Sequence, residues 1–262
     1  FIVLCKEENL RFSIADIIHT DIYDQETGEL SCRDNSEVAY IMYTSGSTGK
    51  PKGVKISWGN LLNYCSKDGL SSIVLSKSAF RILSVTNLEF DISITEIFLP
   101  FVHGGCCIIT PKLLEDEKLF LKYVEQEGAD IIQTTPTNLK RLMLFYKGNW
   151  MKYLKIVFVG GESFPKALYN DIRQKTDATI INVYGPTETT VWATYKIIEE
   201  RPMYNLIGSC LNNYSIYIMQ DDRKADIECV GEICIGGDSV AIGYMDEENR
   251  IKFKQIDGER CY

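Results

Sequence analysis

The sequence is poor in histidine and lacks paired-cysteine motifs. It has only two histidines, His19 and His103, and none of its nine cysteines is arranged as C-x-x-C. Structural zinc sites and catalytic pairs that depend on histidine require such groupings, so we expect neither kind of site. An odd cysteine count without a recognisable secretory signal favours reduced thiols, most of them buried. The protein is therefore expected to be cytoplasmic.

An excess of positive charge and long apolar runs are also absent. Asp and Glu outnumber Lys and Arg by 36 to 28, which gives a formal net charge of −8. A general binder of nucleic acid or of anionic membranes needs a basic surface, and a membrane-spanning helix needs about 20 consecutive apolar residues. We therefore expect no nucleic-acid partner and no membrane partner. The length of 262 residues with 45% hydrophobic side chains is enough to bury a sizeable core.

A glycine-rich stretch at 43–53 does not follow the Walker A pattern. It reads Tyr-Thr-Ser-Gly-Ser-Thr-Gly-Lys-Pro-Lys-Gly. Walker A requires four residues between its glycines and Ser or Thr after its lysine, but here two residues separate Gly46 from Gly49. Glycine, hydroxyl and lysine groups together suit a bound polyphosphate. Composition alone favours a phosphate loop and a flexible, ligand-free turn about equally.

Short apolar runs alternate with amphipathic stretches through the middle of the chain. We predict strands at 38–42, 54–56, 82–85, 106–110, 130–133, 155–159 and 180–184, and helices at 60–65, 92–101, 117–127, 137–146 and 165–175. Trp58-Gly59-Asn60 is predicted to be a turn. Alternation of strands that look buried on both faces predicts an α/β fold with doubly wound, mainly parallel sheets and helices on both faces. Ligands bind such sheets outside the carboxyl ends of the strands.

The pattern changes from about residue 207. Short strand-like runs at 214–219, 230–235 and 240–244 are separated by turns at Asp221-Asp222 and Gly236-Gly237. This spacing predicts a small, β-barrel-like antiparallel unit. We therefore divide the chain into an α/β core at 1–206 and a β subdomain at 207–262.

A second chemically informative stretch follows the predicted strand at 180–184. It runs from Asn182 to Thr190 and reads Asn-Val-Tyr-Gly-Pro-Thr-Glu-Thr-Thr. The ring of Tyr184 could stack on a base, the hydroxyl of Thr187 could reach a phosphate, and the carboxylate of Glu188 could hold a hard cation. Mg²⁺ takes only one or two protein carboxylates, so Glu188 alone would suffice. Considered alone, this stretch is more readily explained as an ordinary strand-to-loop turn.

Taken together and in order, these stretches resemble the adenylate-forming enzymes, and most closely the amino-acid adenylation domains of nonribosomal peptide synthetases. Residues 43–53 resemble the family's phosphate loop, residues 90–98 its substrate-binding helix motif, and Gly160-Gly161-Glu162 its adenine-side turn. Residues 231–244 resemble its β-barrel motif. The matches extend over about residues 38–253. The resemblance implies part of the N-terminal core fold of this superfamily, truncated before the mobile C-terminal lid.

The resemblance implies an ATP site. Lys50, Lys52, Thr187 and Glu188 would be catalytic, with the lysines on the β- and γ-phosphates, Thr187 on the α-phosphate and Glu188 on Mg²⁺. The implied nucleotide-binding residues are Thr44, Ser45, Gly46, Ser47, Thr48, Gly49, Gly160, Gly161, Glu162, Asn182, Tyr184 and Gly185.

The resemblance also implies a site for an amino acid, with Asp91 paired to its α-ammonium group. A buried aspartate needs a partner, although from the residues alone Asp91 could equally be the N-cap of the helix that follows. With no charged group facing the substrate side chain, a neutral amino acid of small to medium size is expected, and Thr95 and Gln133 could bond a polar tip. The implied substrate-binding residues are Phe90, Asp91, Ile92, Thr95, Gln133, Phe158, Val183, Val191 and Trp192, with Gly160 beside them.

The implied function is ATP-dependent formation of an aminoacyl-AMP with release of pyrophosphate. The aminoacyl group would then load the phosphopantetheine thiol of a peptidyl carrier protein, so that protein and other synthetase domains are the implied partners. Two alternatives stay open: a stand-alone carrier-protein or acyl-CoA ligase of the same superfamily, and a non-catalytic module that keeps the fold. Because the family's ribose-binding Thr-Gly-Asp segment would follow Tyr262, we expect little turnover from these residues alone.

Overall fold

The computed structural model describes residues 2–4, 11–13, 34–44, 51–74, 80–109, 116–200, 205–221, 223–246 and 252–262. Its helices are α1 (Trp58–Tyr64), α2 (Ser71–Val74), α3 (Ile92–His103), α4 (Glu117–Leu121), α5 (Pro136–Phe145) and α6 (Lys166–Arg173). A π-helical turn at Lys122–Gln126 continues α4, and 3₁₀ turns lie at Trp150–Tyr153 and Thr187–Thr189. Among these residues, no helix has the length and apolar character needed to cross a bilayer.

The strands of the first part of the chain are β1 (Ile2–Leu4), β2 (Arg11–Ser13), β3 (Val38–Thr44), β4 (Lys52–Ser57), β5 (Arg81–Ser84), β6 (Cys106–Ile109), β7 (Ile131–Thr134), β8 (Ile156–Gly160) and β9 (Thr179–Tyr184). They are followed by β10 (Thr194–Ile197), β11 (Ser209–Cys210), β12 (Tyr214–Gln220), β13 (Arg223–Lys224), β14 (Glu232–Gly237), β15 (Gly243–Tyr244), β16 (Lys254–Ile256) and β17 (Glu259–Cys261).

The largest sheet has the order β11-β10-β9-β8-β7-β5-β6-β1-β2. Its pairs from β9 to β1 are parallel, and β2, β10 and β11 add antiparallel pairs at the two ends. Alternate residues of β8 enter two different cores, because Val157 packs in a cluster with Phe120 of α4, whereas Phe158 packs in a cluster with Leu61 of α1 and Leu99 of α3. Helices therefore cover both faces, as parallel sheets require, and the predicted doubly wound α/β fold is confirmed.

The two smaller sheets are antiparallel. One has the order β13-β12-β14-β17-β16, which confirms the β unit predicted after residue 207. The other has the order β15-β4-β3, so that β15 pairs with a strand from the first part of the chain. Strand β11 likewise pairs with β10. Both pairings join strands from opposite sides of the predicted domain boundary between residues 206 and 207. The division into two domains at this boundary stays a prediction.

The turn predicted at Trp58-Gly59-Asn60 is wrong, because these residues form the first turn of α1. The hydroxyl of Ser57 accepts a hydrogen bond from the Asn60 N–H at 3.1 Å, and the Asn60 side chain accepts one from the Ser57 N–H at 3.0 Å. This reciprocal capping box satisfies backbone donors that an uncapped helix would leave open. The helix therefore begins two residues earlier than predicted.

Other boundaries differ from the prediction as well. The helix predicted at 117–127 is α-helical only to Leu121 and continues as a π-helical turn. The strands predicted at 230–235 and 240–244 lie at Glu232–Gly237 and Gly243–Tyr244. Strand β8 includes Gly160, one residue beyond the predicted end, so the first residue of the predicted adenine-side turn belongs to the sheet.

Candidate active site

The carboxyl ends of β7, β8 and β9 lie side by side. The parallel register pairs Thr134 with Val159 and Gly160 with Val183, so the turns that follow these strands emerge at one edge of the sheet. This is the edge at which open α/β sheets bind ligands. Gly161 follows β8, and the 3₁₀ turn with Thr187 and Glu188 follows β9.

Two adjacent positions at the end of β8 require glycine, the first because of close contacts and the second because of its backbone conformation. A Cβ on Gly160 would lie 2.6 Å from the backbone oxygen of Val183 and 2.7 Å from the Trp192 ring. Gly161 has φ +78°, in the left-handed region that side chains disfavour. Backbone and ring atoms are therefore packed closely where the predicted adenine-side turn leaves the sheet.

A pocket of about 250 Å³, hereafter the strand-end pocket, lies beyond β8 and β9. Its walls include five residues predicted to bind the nucleotide, and Tyr184 among them is half-buried. Sequence reasoning missed Ser163, Asn205 and Ile207, which lie in connections without a recognisable motif. The Asn205 side chain accepts the Phe164 N–H at 3.0 Å, which ties the two connections together. The full lining is Gly161, Glu162, Ser163, Asn182, Val183, Tyr184, Gly185, Asn205 and Ile207.

Two of these polar side chains are already engaged with the protein. The Asn182 amide donates to the Leu206 carbonyl at 2.8 Å. The Glu162 carboxylate accepts the hydroxyl of Thr137 at 2.6 Å and its N–H at 3.2 Å, and the hydroxyl bond is the main reason that the pKa of Glu162 is lowered. Glu162 thereby stabilises the N-terminus of α5 while lining the pocket.

Asp91 lies directly before α3, and its carboxyl group is not a helix cap. Within the described residues its side chain makes no capping hydrogen bond. Burial raises the pKa of the Asp91 carboxyl, the Thr187 hydroxyl lowers it, and the negative charge of Glu188 raises it further. Asp91, Thr187 and Glu188 therefore share one electrostatic neighbourhood, although they come from two distant segments of the chain.

The predicted substrate-binding residues after Asp91 in the chain are mostly apolar, and the polar ones are held by hydrogen bonds within the protein. Gln133 donates to the Ile92 carbonyl at 2.7 Å and accepts the Trp192 indole N–H at 2.8 Å. The Thr95 hydroxyl lies 2.5 Å from that of Tyr64. The side chains of Gln133 and Thr95, which were expected to hydrogen-bond the polar end of a substrate side chain, thus already have hydrogen-bond partners within the protein. Phe158, Val183, Val191 and Trp192 are buried, whereas Phe90 is 61% exposed.

The backbone after the Glu188 turn is strained. Thr190 and Val191 have φ values of 58° and 67°, which β-branched residues rarely adopt. The Thr190 hydroxyl donates to the Ser239 carbonyl at 2.7 Å, and Val191 is buried in the core. Contacts of this kind keep a strained backbone in place, and such strain is common at functional sites.

Lys52 and Glu188 are both buried, and they are bridged by Tyr244. The Tyr244 hydroxyl donates to Glu188 Oε1 at 2.5 Å, and Lys52 Nζ lies over the Tyr244 ring at 5.7 Å from its centroid. Burial and then the hydrogen bond to Glu188 raise the pKa of the Tyr244 hydroxyl. Tyr244 belongs to the Gly243-Tyr244 pair within the β-barrel motif of the sequence, but no role was predicted for it.

The glycine-rich stretch is described only at its two ends. Thr44 ends β3 and Lys52 begins β4, and the two are register partners in an antiparallel pair. The β3–β4 hairpin therefore holds the ends of the stretch together. The other predicted members, Ser45, Gly46, Ser47, Thr48, Gly49 and Lys50, lie outside the described residues.

A model of the AMP-binding enzyme family matches residues 6–245, which include every site residue discussed above. The chain belongs to the AMP-binding enzyme family. Tyrocidine synthase 3 from Brevibacillus parabrevis is 32% identical over 252 residues, which are 93% of this chain and 4% of that protein. Delta-poly-L-ornithine synthetase from Acinetobacter baumannii is 34% identical over 223 residues, which are 84% of this chain and 16% of that protein. The chain thus spans a small part of these relatives.

Solved structures agree with this assignment. The four-domain nonribosomal peptide synthetase holo-AB3403, bound to AMP and glycine, matches 86% of this chain and 17% of its own with a TM-score of 0.75 and 29% identity. The N-terminal subdomain of Klebsiella oxytoca NpsA, in complex with 3-hydroxyanthranilyl-AMSN, matches 91% of this chain and 63% of its own with a TM-score of 0.79; at 22% identity this likeness shows the fold. The predicted family, a nonribosomal peptide synthetase adenylation domain, is confirmed at the level of the AMP-binding enzyme family, which agrees with the predicted class of adenylate-forming ligases.

Proposed function

We propose that the protein containing this chain activates an amino acid with ATP, releases pyrophosphate, and loads the aminoacyl group onto a carrier-protein phosphopantetheine thiol. The observation that carries this proposal is the meeting of Asp91 with Thr187 and Glu188 at the strand ends. A half-buried carboxyl suited to an ammonium group lies there beside groups suited to a phosphate and a cation.

The strand-end pocket is the proposed adenine site. The half-buried ring of Tyr184 offers a face for stacking, and Gly161 and Glu162 of the turn after β8 line the same pocket. Lys50 and Lys52 are proposed to hold the β- and γ-phosphates, because the β3–β4 hairpin anchors the glycine-rich stretch at Thr44 and Lys52.

Glu188 is the proposed ligand of Mg²⁺. The oxygen atoms of Glu188 and Thr187 are the hard donors that this ion prefers, so the residues present fit it. In the described part of the chain, no cluster of three or more His, Cys, Asp or Glu could hold a metal by itself. The ion would therefore take its other ligands from phosphates and water, and when bound it would neutralise phosphate charge.

The proposed reaction is an in-line displacement at the α-phosphorus. A carboxylate oxygen of the amino acid bonds to phosphorus, and the bond from phosphorus to the bridging oxygen of pyrophosphate breaks. In this step Asp91 orients the substrate through its ammonium group, Thr187 contacts the α-phosphate, and Lys52 holds the leaving group. Positioning and charge neutralisation supply most of the rate enhancement in such displacements.

The proposed substrate is a neutral amino acid of small to medium size. Its side chain would meet Phe158, Val183, Val191 and Trp192, which are buried and apolar, and the polar groups of Gln133 and Thr95 already have protein partners. A charged side chain would lose its hydration there without gaining an ionic partner.

Carrier-protein and other synthetase domains are the proposed partners. The relatives support this proposal, since holo-AB3403 is a four-domain synthetase and another relative is a dimodular nonribosomal peptide synthase from Bacillus subtilis. We also propose a cytoplasmic location. The described cysteines, Cys65, Cys106, Cys107, Cys210, Cys229, Cys234 and Cys261, are all free thiols, as a reducing compartment favours.

Pyrophosphate exchange tests the proposal. The full-length protein is incubated with ATP, Mg²⁺ and labelled pyrophosphate, and each of the common amino acids is supplied in turn. We expect the strongest exchange with one neutral amino acid. A preference for Lys, Arg, Asp or Glu would contradict the proposed substrate, exchange with fatty acids would favour an acyl-CoA ligase, and no exchange with any acid would favour a non-catalytic module.

A further inference from the structure

Two buried side chains of opposite charge contact the same tyrosine. Lys52 is 8% exposed and Glu188 is 6% exposed. The Tyr244 hydroxyl donates to Glu188 Oε1 at 2.5 Å, and the Tyr244 ring faces Lys52 Nζ at 5.7 Å. Tyr244 itself is 3% exposed, so all three groups are held inside the protein.

The position of Tyr244 is set by backbone pairing on both of its sides. Strand β15 pairs with β4 so that Tyr244 lies opposite Val54, two residues from Lys52. The Ala241 N–H donates to the Glu188 carbonyl at 2.8 Å, and the Met245 N–H donates to the Gly53 carbonyl at 2.7 Å. The segment around Tyr244 is therefore tied to the turn that carries Glu188 and to the strand that carries Lys52.

Buried opposite charges attract each other strongly, yet no ion pair joins Lys52 to Glu188 in the part of the chain that is described. Such a pair would occupy the ammonium group proposed for phosphate and the carboxylate proposed for the cation. The tyrosine hydroxyl holds the carboxylate without neutralising it, since each carboxylate oxygen has two lone pairs and Glu188 keeps acceptor capacity for a metal ion. The ring offers the ammonium group a weaker, cation–π contact.

We propose that Tyr244 is a positioning residue, which orients the Glu188 carboxylate for a divalent cation and keeps it apart from the Lys52 ammonium group. This inference rests on the proposed function. It adds to the site a residue 56 positions beyond Glu188 in the chain, which lies on a strand of only two residues. Tyr244 acts through its neighbours and is not proposed to touch the reacting atoms.

Substitution Tyr244→Phe tests the inference, because it keeps the ring and removes the hydroxyl. Tyr217→Phe is the matched control, since the Tyr217 hydroxyl also donates to a carboxylate, that of Glu259 at 2.8 Å, in the separate five-stranded sheet. Both variants are made in the full-length protein. The Mg²⁺ concentration for half-maximal pyrophosphate exchange is measured, together with the Mg²⁺ dependence of the thermal shift produced by a non-hydrolysable ATP analogue.

We expect Tyr244→Phe to raise both half-saturating Mg²⁺ concentrations about tenfold, which is typical when a partner of a metal ligand is lost. Saturating Mg²⁺ should largely restore exchange, and Tyr217→Phe should match the wild type. A double-mutant cycle with Glu188→Gln should be non-additive, because Tyr244 acts through Glu188.

The outcomes separate the inference from the proposed function. If the wild type neither exchanges pyrophosphate nor responds to the ATP analogue, the proposed function fails. If the wild type does both and Tyr244→Phe has the same Mg²⁺ dependence, the inference is overturned. Loss of exchange in Tyr244→Phe that persists at saturating Mg²⁺, with unchanged half-saturation, would also overturn it.

Discussion

The sequence allows two roles for Asp91, as a helix N-cap or as a substrate-binding residue, and its structural surroundings bear on the choice. In the sequence it precedes a helix, which suits an N-cap, and it lies in a segment that resembles an amino-acid-binding motif. The carboxyl makes no capping bond and its pKa is raised by burial, and we propose the second role for it. A half-buried carboxyl with a raised pKa destabilises the fold without substrate, which is reasonable if its partner is the substrate itself.

Substitution Asp91→Asn is expected to separate activity from stability. The neutral amide should raise the KM for the amino acid about 100-fold or more, because a buried ammonium group loses its counter-charge. The same change should raise the Tm by a few degrees, since it removes a carboxyl that burial disfavours. Pyrophosphate exchange and thermal denaturation measure the two effects.

Asp130→Asn is the control, for which the opposite change in Tm is expected. Asp130 is buried, and it pairs with Lys155 at 2.7 Å and accepts the Arg81 N–H at 2.8 Å, before the start of β7. This substitution should lower the Tm and leave the KM unchanged. A lower Tm for Asp91→Asn, or an unchanged KM, would contradict the role proposed for Asp91.

At the scale of secondary-structure elements, helix α3 joins the candidate site to the central sheet through a buried carboxyl group. Glu96 accepts the Thr86 hydroxyl at 2.6 Å and the Thr86 N–H at 3.2 Å, just beyond the end of β5. Burial raises the pKa of Glu96 to about 7, although these hydrogen bonds oppose the shift. The position of α3, which begins beside Asp91, is therefore coupled to the charge of Glu96.

Stability is expected to depend on pH through Glu96. The unfolded carboxyl titrates near 4.5 and the folded one near 7, so the folded state retains a proton across this window and its stability falls as pH rises from about 4.5 to 7. The loss is up to about 3 kcal/mol, from the pKa difference. The free energy of unfolding of Glu96→Gln relative to wild type, from urea titrations, should therefore increase with pH over this window and level off above it.

Glu162→Gln is the comparison for this titration. Hydrogen bonds with Thr137 lower the pKa of Glu162, so its contribution to stability is lost only as pH falls through values below about 4.5. Its free-energy difference from wild type should be flat from pH 5 to 8. A flat difference for Glu96→Gln over the same range would show that Glu96 does not retain its proton.

Most elements were predictable, because hydrophobic periodicity is a local property. The strands near 82–85, 130–133, 155–159 and 180–184 were located to within one or two residues. The start of α1 was missed because the cap that begins it is a reciprocal bond between Ser57 and Asn60, which no periodicity reveals. The π-helical turn after α4 was missed because it differs from an α-helix in its backbone hydrogen bonds, which the spacing of apolar residues does not report.

At the scale of the whole molecule, the α/β core and the β unit are joined by several contacts. The Asn60 amide donates to the carbonyls of Asp238 at 2.7 Å and Val240 at 3.1 Å, and the Thr190 hydroxyl donates to the carbonyl of Ser239 at 2.7 Å. With the β4–β15 pairing, these bonds connect the predicted domains at the place where the candidate site is built.

The two predicted domains are therefore expected to unfold together. Far-UV circular dichroism and hydrogen exchange of β12 and β14 amides should report one transition. Asn60→Ala should lower the free energy of unfolding measured by both methods by about 2 to 4 kcal/mol. The substitution removes a helix cap and two hydrogen bonds to the other part of the chain. Two separate transitions, or strands β12 and β14 that keep their protection in the variant, would indicate independent domains.

The sequence by itself determined the fold class, the family and the order of the site segments, because these depend on local patterns and contiguous motifs. Only the tertiary structure decided how the segments meet. It paired Gln133 with Trp192, brought Asp91 to Thr187, and placed Tyr244 between Lys52 and Glu188. Such contacts join residues far apart in the chain, and they follow from strand register and packing, which no short stretch of sequence encodes.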